Sequence, residues 1–238
     1  MITKGLSVAL VEPQYPVNLG HVARLVKNFG VRRLYLVNPK ADMSVAMVYA
    51  AHASDVLEGA RRATFGQLRR ENQLLVATTA VRAVKGSNVI RRTIRPERVG
   101  ELVSAARTAA LVFGRDTTGL TNEEISRCDV TTVIDTGTRY RTLNVGHAVA
   151  IMLYLVSGSK GRARAVQSRR ARELFATSFG QLASSAQLPR HKTKNMGEVG
   201  KRIAASAALT DSQLFLMAGV FRKALQARSR HQTRDSKT

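Results

Sequence analysis

Residues 6–30 read LSVALVEPQYPVNLGHVARLVKNFG. An apolar, β-branched run from Leu6 to Val11 gives way to a proline-bearing loop, then to a helical pattern with Leu19, Val22, Ala23, Val26 and Phe29 on one face. Asn18 is available to cap that helix, and Gly30 stands where a left-handed C-cap belongs. The same punctuation recurs along the chain. Short apolar runs lie at Arg33 to Val37, Leu74 to Thr78, Ala109 to Phe113 and Thr131 to Ile134. Helical patterns lie at about Val45 to Ala60, at Pro96 to Arg107, where Pro96 suits a first turn, and at Asn144 to Leu155. Strands alternating with helices predict an α/β domain with a mainly parallel sheet.

At 238 residues the chain accommodates one such domain of about 150 residues and a smaller companion. From Ser157 to Arg172 the sequence turns polar and basic, SGSKGRARAVQSRRAR, and reads as a linker entering a helix. Glu173 to Leu188, Met196 to Leu209 and Ser212 to Arg228 carry apolar residues at helical spacing, with Thr210 and Asp211 available as caps for the third. The expected organisation is an α/β domain over 1–156, a basic linker over 157–172, a helical module over 173–228 and a disordered basic tail over 229–238.

Lys and Arg outnumber Asp and Glu by 38 to 16, a formal charge of +22. Before Ser157 there are 21 basic and 12 acidic residues, and from it onward 17 and 4. A polyanionic partner is the simplest explanation, and nucleic acid is favoured over membrane because no long apolar run, signal pattern or Lys-rich amphipathic anchor is found. Cys128 is the only cysteine, which excludes an intrachain disulfide and a multi-Cys zinc site and fits a reducing cytoplasm. The five histidines are scattered without HExxH spacing, so no protein-bound catalytic metal is expected.

Three segments can carry chemistry. In Glu12 to Gly30, a loop at the carboxyl end of a strand leads into a helix on which His21, Arg24 and Asn28 share a polar face; Arg24 reads either as a solvated residue or as a ligand for phosphate or ribose. In LVFGRDTTGLTNEEISRCD, Leu111 to Asp129, Gly114 and Gly119 permit a tight turn or close ligand approach, and Thr121 with Glu124 forms a capping-box pattern. Arg115 and Asp116 sit in that turn and can pair with each other. Neither glycine pair matches a dinucleotide or triphosphate fingerprint. In Val133 to Tyr154, Thr142 or Asn144 can cap an apolar helix, and His147 reads as a packed or surface residue.

Together these segments resemble the three motifs of the SpoU-TrmH methyltransferases of the SPOUT superfamily. The likeness is carried by EPxxPxNxGxxxRxxKNFG over Glu12 to Gly30, LVFGRxxTGLTNEE over Leu111 to Glu124, and LNxxxAxAIxxY over Leu143 to Tyr154. It covers about residues 4 to 156 and looks closest to the TrmJ branch, which also carries a C-terminal helical extension. Asp116 stands where relatives commonly have Glu, and Thr142 where they commonly have Ser.

The resemblance implies a parallel α/β domain with a C-terminal trefoil knot, homodimeric, binding S-adenosylmethionine and methylating a ribose 2′-hydroxyl. It implies a cofactor pocket lined by Thr79, Ala80, Val81, Gly114, Ile134, Arg141, Thr142 and Leu143. Asn18, Arg24, Asp116, Thr142 and Asn144 would surround or support the reacting ribose. The expected substrate is tRNA at anticodon-loop position 32, with Arg24, Arg115, Arg162, Arg164, Arg169 and Arg170 as candidate RNA contacts. Ribosomal RNA as substrate, or a non-catalytic RNA-binding role, stays open. Aromatics make up only 5% of the residues, too few for an extended base-stacking platform.

Overall fold

A computed structural model describes residues 5–80, 93–158, 167–186, 193, 195–206 and 209–235. The chain forms two compact units, Met1–Arg164 and Ala165–Thr238. In the first, six strands form one sheet: β1 (Leu6–Val11), β2 (Arg33–Val37), β3 (Arg61–Arg62), β4 (Leu74–Thr78), β5 (Ala109–Phe113) and β6 (Val130–Thr132). Their order is β3-β2-β1-β5-β4-β6 and every pairing is parallel. All of β1 and β5 is buried, which is why both read as unbroken apolar runs rather than alternating ones.

Around the sheet lie α1 (Pro16–Asn28), α2 (Met43–Ala50), α3 (Ser54–Glu58), α4 (Phe65–Glu71), α5 (Pro96–Ala105), α6 (Asn122–Ser126) and α7 (Val145–Gly158). A core of Ala9, Val11, Tyr35, Leu68, Leu75, Val112 and Ile125, among others, joins the sheet to α4 and α6. β6 is bracketed: Thr79 N donates to Thr132 O and Ile94 N to Thr131 O, so chain preceding and following the 81–92 connection flanks this strand on opposite sides.

Several boundaries differ from the sequence reading, each for a local reason. α1 begins at Pro16, whose fixed φ and missing N–H suit a first turn, with Tyr15 as N-cap and no side-chain cap. Asn18 therefore lies inside the helix rather than capping it. The helix expected over Val45 to Ala60 is broken into α2, a 3-10 turn at Ala51–Ala53 and α3, because Ala51 takes a left-handed φ of 48°. The short α4 went unread although Thr64 and Gln67 close a capping box at its start, and so did the two-residue β3.

In the second unit, α8 (Arg169–Ser185), α9 (Met196–Ser206) and α10 (Asp211–Asp235) are the described helices. Ala171, Phe175, Ala204 and Leu214 are its buried cluster, and the rings of Phe175, Phe179 and Phe221 lie within 6.0 Å of one another. Thr210 and Gln213 cap α10 reciprocally. α8 starts inside the expected linker because Ser168 caps it, its hydroxyl accepting from Ala171 N. The expected disordered tail is helical as far as Asp235, for no Gly or Pro after Gly219 interrupts α10.

Asp129 ties the far edge of the sheet together. Its side chain is 2% exposed, accepts from Leu75 N at 2.7 Å and pairs with Arg69 at 3.2 Å. Removing it leaves the buried Leu75 N–H without this acceptor and takes from Arg69 its carboxylate. Asp129→Ala is expected to lower the free energy of unfolding in urea by about 3–5 kcal/mol.

Candidate active site

The sheet order reverses between β1 and β5, and in open α/β sheets the crevice beyond such a switch receives ligands. Here a cavity of about 330 Å³ opens over the carboxyl ends of β4 and β5, closed by the segment that connects β6 to α7. Of the residues expected at a cofactor, Thr79, Ala80, Gly114, Ile134, Arg141, Thr142 and Leu143 all line it, as does Asp116. Val81 lies outside the described residues. Gly119, read from sequence as permitting close ligand approach, lines it too, whereas sequence reading missed Thr78, Phe113, Thr117, Thr118, Leu120, Val145 and Ala148. The motif around Gly114 was the signal for most of them.

The wall of the cavity is a turn that only glycines permit. A Cβ on Gly114 would lie 2.1 Å from the carbonyl carbon of Gly119, and Gly119 itself has φ +69°. Arg115 N donates to Gly119 O at 3.2 Å and Gly119 N to Arg115 O at 3.0 Å, which closes the turn.

Arg115 then binds outward on both sides. Its guanidinium pairs with Glu124 through two 3.0 Å bonds and with Glu12 at 3.0 Å, and also donates to Gly119 O. Glu12 adopts φ 47°, a strained region for a residue with a side chain, and is held there by Glu12 N to Val37 O and by Asn38 Nδ2 at 3.0 Å. The bond from Arg115 and then that from Asn38 hold the Glu12 carboxyl below its ordinary range. Burial pushes Glu124 up, but hydrogen bonds from Arg115 and Thr121 outweigh it and the net shift is downward. The two carboxylates in turn raise the Arg115 guanidinium. With its side chain only 16% exposed and its charge matched twice, Arg115 clamps two loops together, and it lines the cavity as well. It does not pair with Asp116.

Asp116 organises the opposite face of the turn. One oxygen accepts from Gln14 N at 2.8 Å and Tyr15 N at 3.3 Å, and the other from Asn18 Nδ2. Although one methylene shorter than Glu, it reaches all three. Because an ionised carboxylate only accepts, Asn18 must turn its nitrogen toward Asp116 and its oxygen away. That oxygen accepts from Asn144 Nδ2 at 2.9 Å, and Asn144 Oδ1 accepts from Gly146 N at 2.8 Å, capping α7. One carboxylate thus fixes the orientation of two amides in series. Each amide oxygen faces a protein donor, and among the described residues each amide keeps one N–H uncommitted.

Arg24 is exposed on α1 and has no hydrogen bond or ion pair among the described residues. Thr142 lines the cavity, whereas Asn144 supplies the cap. Arg162 and Arg164 lie outside the described residues. Arg169 and Arg170 fall in the first turn of α8 rather than in a linker, Arg169 half-buried and Arg170 exposed.

Fold and cavity define an α/β protein with a cavity of small-molecule size at the carboxyl ends of two parallel strands. The chain belongs to the SpoU rRNA Methylase family, whose model matches residues 5–154. It is 38% identical over 151 residues to the tRNA (cytidine-2′-O-)-methyltransferase TrmJ of Sulfolobus acidocaldarius, covering 63% of each chain. It is 29% identical over 227 residues to the enzyme of the same name from Methanocaldococcus jannaschii, covering 91% of this chain and 98% of that one. The chain thus spans less than two thirds of the first relative's length and nearly all of the second's. Among solved structures, TrmJ from Z. mobilis ZM4 superposes with a TM-score of 0.66 at 19% identity, over 92% of this chain and 98% of that one.

Depressed carboxylate pKa values make the clamp's contribution full above the ordinary value of about 4.3 and progressively lost as pH falls through the lowered ones. In Arg115→Met the two carboxylates lose their cation. The stability deficit of this variant, read from urea unfolding, is therefore expected to be largest above about pH 5 and to shrink below about pH 4.

Proposed function

We propose that this chain transfers the methyl group of S-adenosylmethionine to a ribose 2′-hydroxyl of tRNA, at position 32 of the anticodon loop. The observation that carries this reading is the Asp116–Asn18–Asn144 relay standing beside a cavity lined by seven of the eight residues expected at the cofactor. The names of the two archaeal relatives supply the choice of RNA. Ribosomal RNA is the second reading, favoured by the description of the family itself.

The cavity suits the cofactor: its volume falls in the range of about 300–1,000 Å³ usual for small-molecule sites. Its lining mixes apolar surface from Ile134, Leu143 and Leu120 with polar groups from Thr79, Thr117 and Arg141. When bound, S-adenosylmethionine supplies an electrophilic methyl group and a neutral leaving group. The protein's task is alignment. The uncommitted N–H groups of Asn18 and Asn144 suit lone pairs on ribose oxygens, and they stabilise negative charge as the 2′-oxygen loses its proton. An arginine is not deprotonated in proteins, so Arg24 acts as a donor and fixed positive charge rather than as a base. A phosphate oxygen of the substrate is the candidate acceptor for the proton.

The chain is a homodimer with a trefoil knot and works in the cytoplasm. For the dimer, Val17 on α1 and Ile151 and Tyr154 on α7 leave apolar side chains in solvent on two helices that pack together, Tyr154 71% exposed. For the knot, the bracketing of β6 is what a threaded C-terminal segment requires. Among the described residues no helix is long and apolar enough to cross a membrane. The surplus of positive charge beyond Ser157, with Arg170 exposed on α8 and Arg162 and Arg164 preceding it in sequence, suits RNA phosphates.

The experiment that tests this is transfer of labelled methyl to total tRNA, followed by nuclease digestion and nucleoside mass spectrometry. A nuclease-resistant 2′-O-methylnucleoside from the anticodon loop is the expected product. No transfer to tRNA but transfer to ribosomal RNA would select the second reading. For the relay, Asp116→Asn is expected to cut turnover by about 100-fold by letting Asn18 turn over. Adding Asn18→Asp restores a matched pair and the melting temperature but not turnover, since the free N–H at position 18 is gone. Recovered turnover in the double variant would remove any role for that N–H.

A further inference from the structure

The segment Asp135 to Thr142, DTGTRYRT, joins β6 to the cavity and holds the most exposed large apolar side chain found among the described residues, Tyr140 at 79%. Its backbone is not loose. Thr138 Oγ1 donates to Tyr140 O at 2.9 Å and Thr136 Oγ1 to the same oxygen at 3.2 Å. Gly137, at φ +70°, donates its N–H to Asp135 Oδ1. Two hydroxyls thus anchor the carbonyl of a residue whose side chain lies largely in solvent.

On either side stand Arg139 and Arg141, both exposed, and neither makes an ion pair or side-chain hydrogen bond among the described residues. They differ in this from Arg115, Arg61 and Arg69, whose charges are each matched by a carboxylate. Arg141 and Thr142 line the cavity, so the ring stands within one residue of its rim. A solvent-facing aromatic on an anchored backbone, between two cations unmatched among the described residues, is suited to one chemistry in particular. The ring offers a face for a nucleobase, and the guanidinium groups meet the phosphates that flank it.

We propose that Arg139, Tyr140 and Arg141 form a stacking subsite for one unpaired nucleobase adjacent to the nucleotide being methylated. The proposal rests on the methyltransferase reading for the identity of the neighbouring nucleotide, but not for the stacking itself. A single anchored ring needs no extended aromatic platform, consistent with the low aromatic content. Loop RNA is the substrate it fits, because only unpaired bases expose a face to a side chain.

The test compares the full-length protein with Tyr140→Ala and Tyr140→Phe. Each is titrated, without cofactor, against an anticodon stem-loop RNA carrying 2-aminopurine beside the target nucleotide, whose fluorescence is quenched on stacking. Quenching is expected with the unaltered protein and with Tyr140→Phe, and is expected to be lost in Tyr140→Ala. In the methylation assay the loss should fall on KM for RNA, by roughly tenfold, rather than on kcat. Quenching by the unaltered protein without any methyl transfer would leave the subsite standing and sink the enzymatic reading. Unchanged quenching and KM in Tyr140→Ala would overturn the subsite. So would weakened S-adenosylmethionine binding, which would put the ring against the cofactor, or a change of sedimentation coefficient, which would put it against a second copy.

Discussion

Arg115 and Asp116 are neighbours in one glycine-bounded turn and face different partners, and through that pair the loop after β5 is locked to the loop after β1. Arg115 holds Glu12 and Glu124; Asp116 holds Gln14, Tyr15 and Asn18. Neither charged residue pairs with the other, because each is better matched outside the turn. The strained φ of Glu12 is sustained by this arrangement, and so is the entry angle of α1. A local strain of this kind persists only where its surroundings over-determine it.

From that lock the order of the site follows. Asp116 sets one amide, the amide sets the next, and the second caps α7, so the start of the last helix of the sheet domain is registered against the start of its first. The cavity occupies the space between these fixed points and the ends of β4 and β5. A site built this way places donors without moving parts. Such preorganisation is what a reaction governed by alignment needs.

Positive charge in the chain divides into two populations. Arg61, Arg69 and Arg115 are matched by carboxylates and maintain the fold. Arg24, Arg139, Arg141 and Arg170 are exposed, and the sequence beyond Ser157 has few acidic residues to neutralise its bases. Only the second population is free to meet a polyanion, so the formal charge overstates the cations available to it.

Local sequence was sufficient for β1, β2, β4 and β5, since a buried parallel strand must be an apolar run, but not for β3, which is two exposed arginines. It was sufficient as well for the capping box at Thr121 and Glu124 and for the left-handed Gly30, because these interactions close within a few residues. The residues around the cavity were legible through their likeness to a family's motifs, not through spacing. Tertiary structure alone decided that Asn18 is a link in a relay instead of a cap, since its partners lie 98 and 126 residues away. It alone brought Arg115 to Glu12, a carboxylate 103 residues distant. Periodicity and capping are written within a turn or two of helix, whereas the pairing of polar side chains across the sheet depends on which strands become neighbours. That order was fixed when β5, not β2 alone, packed beside β1.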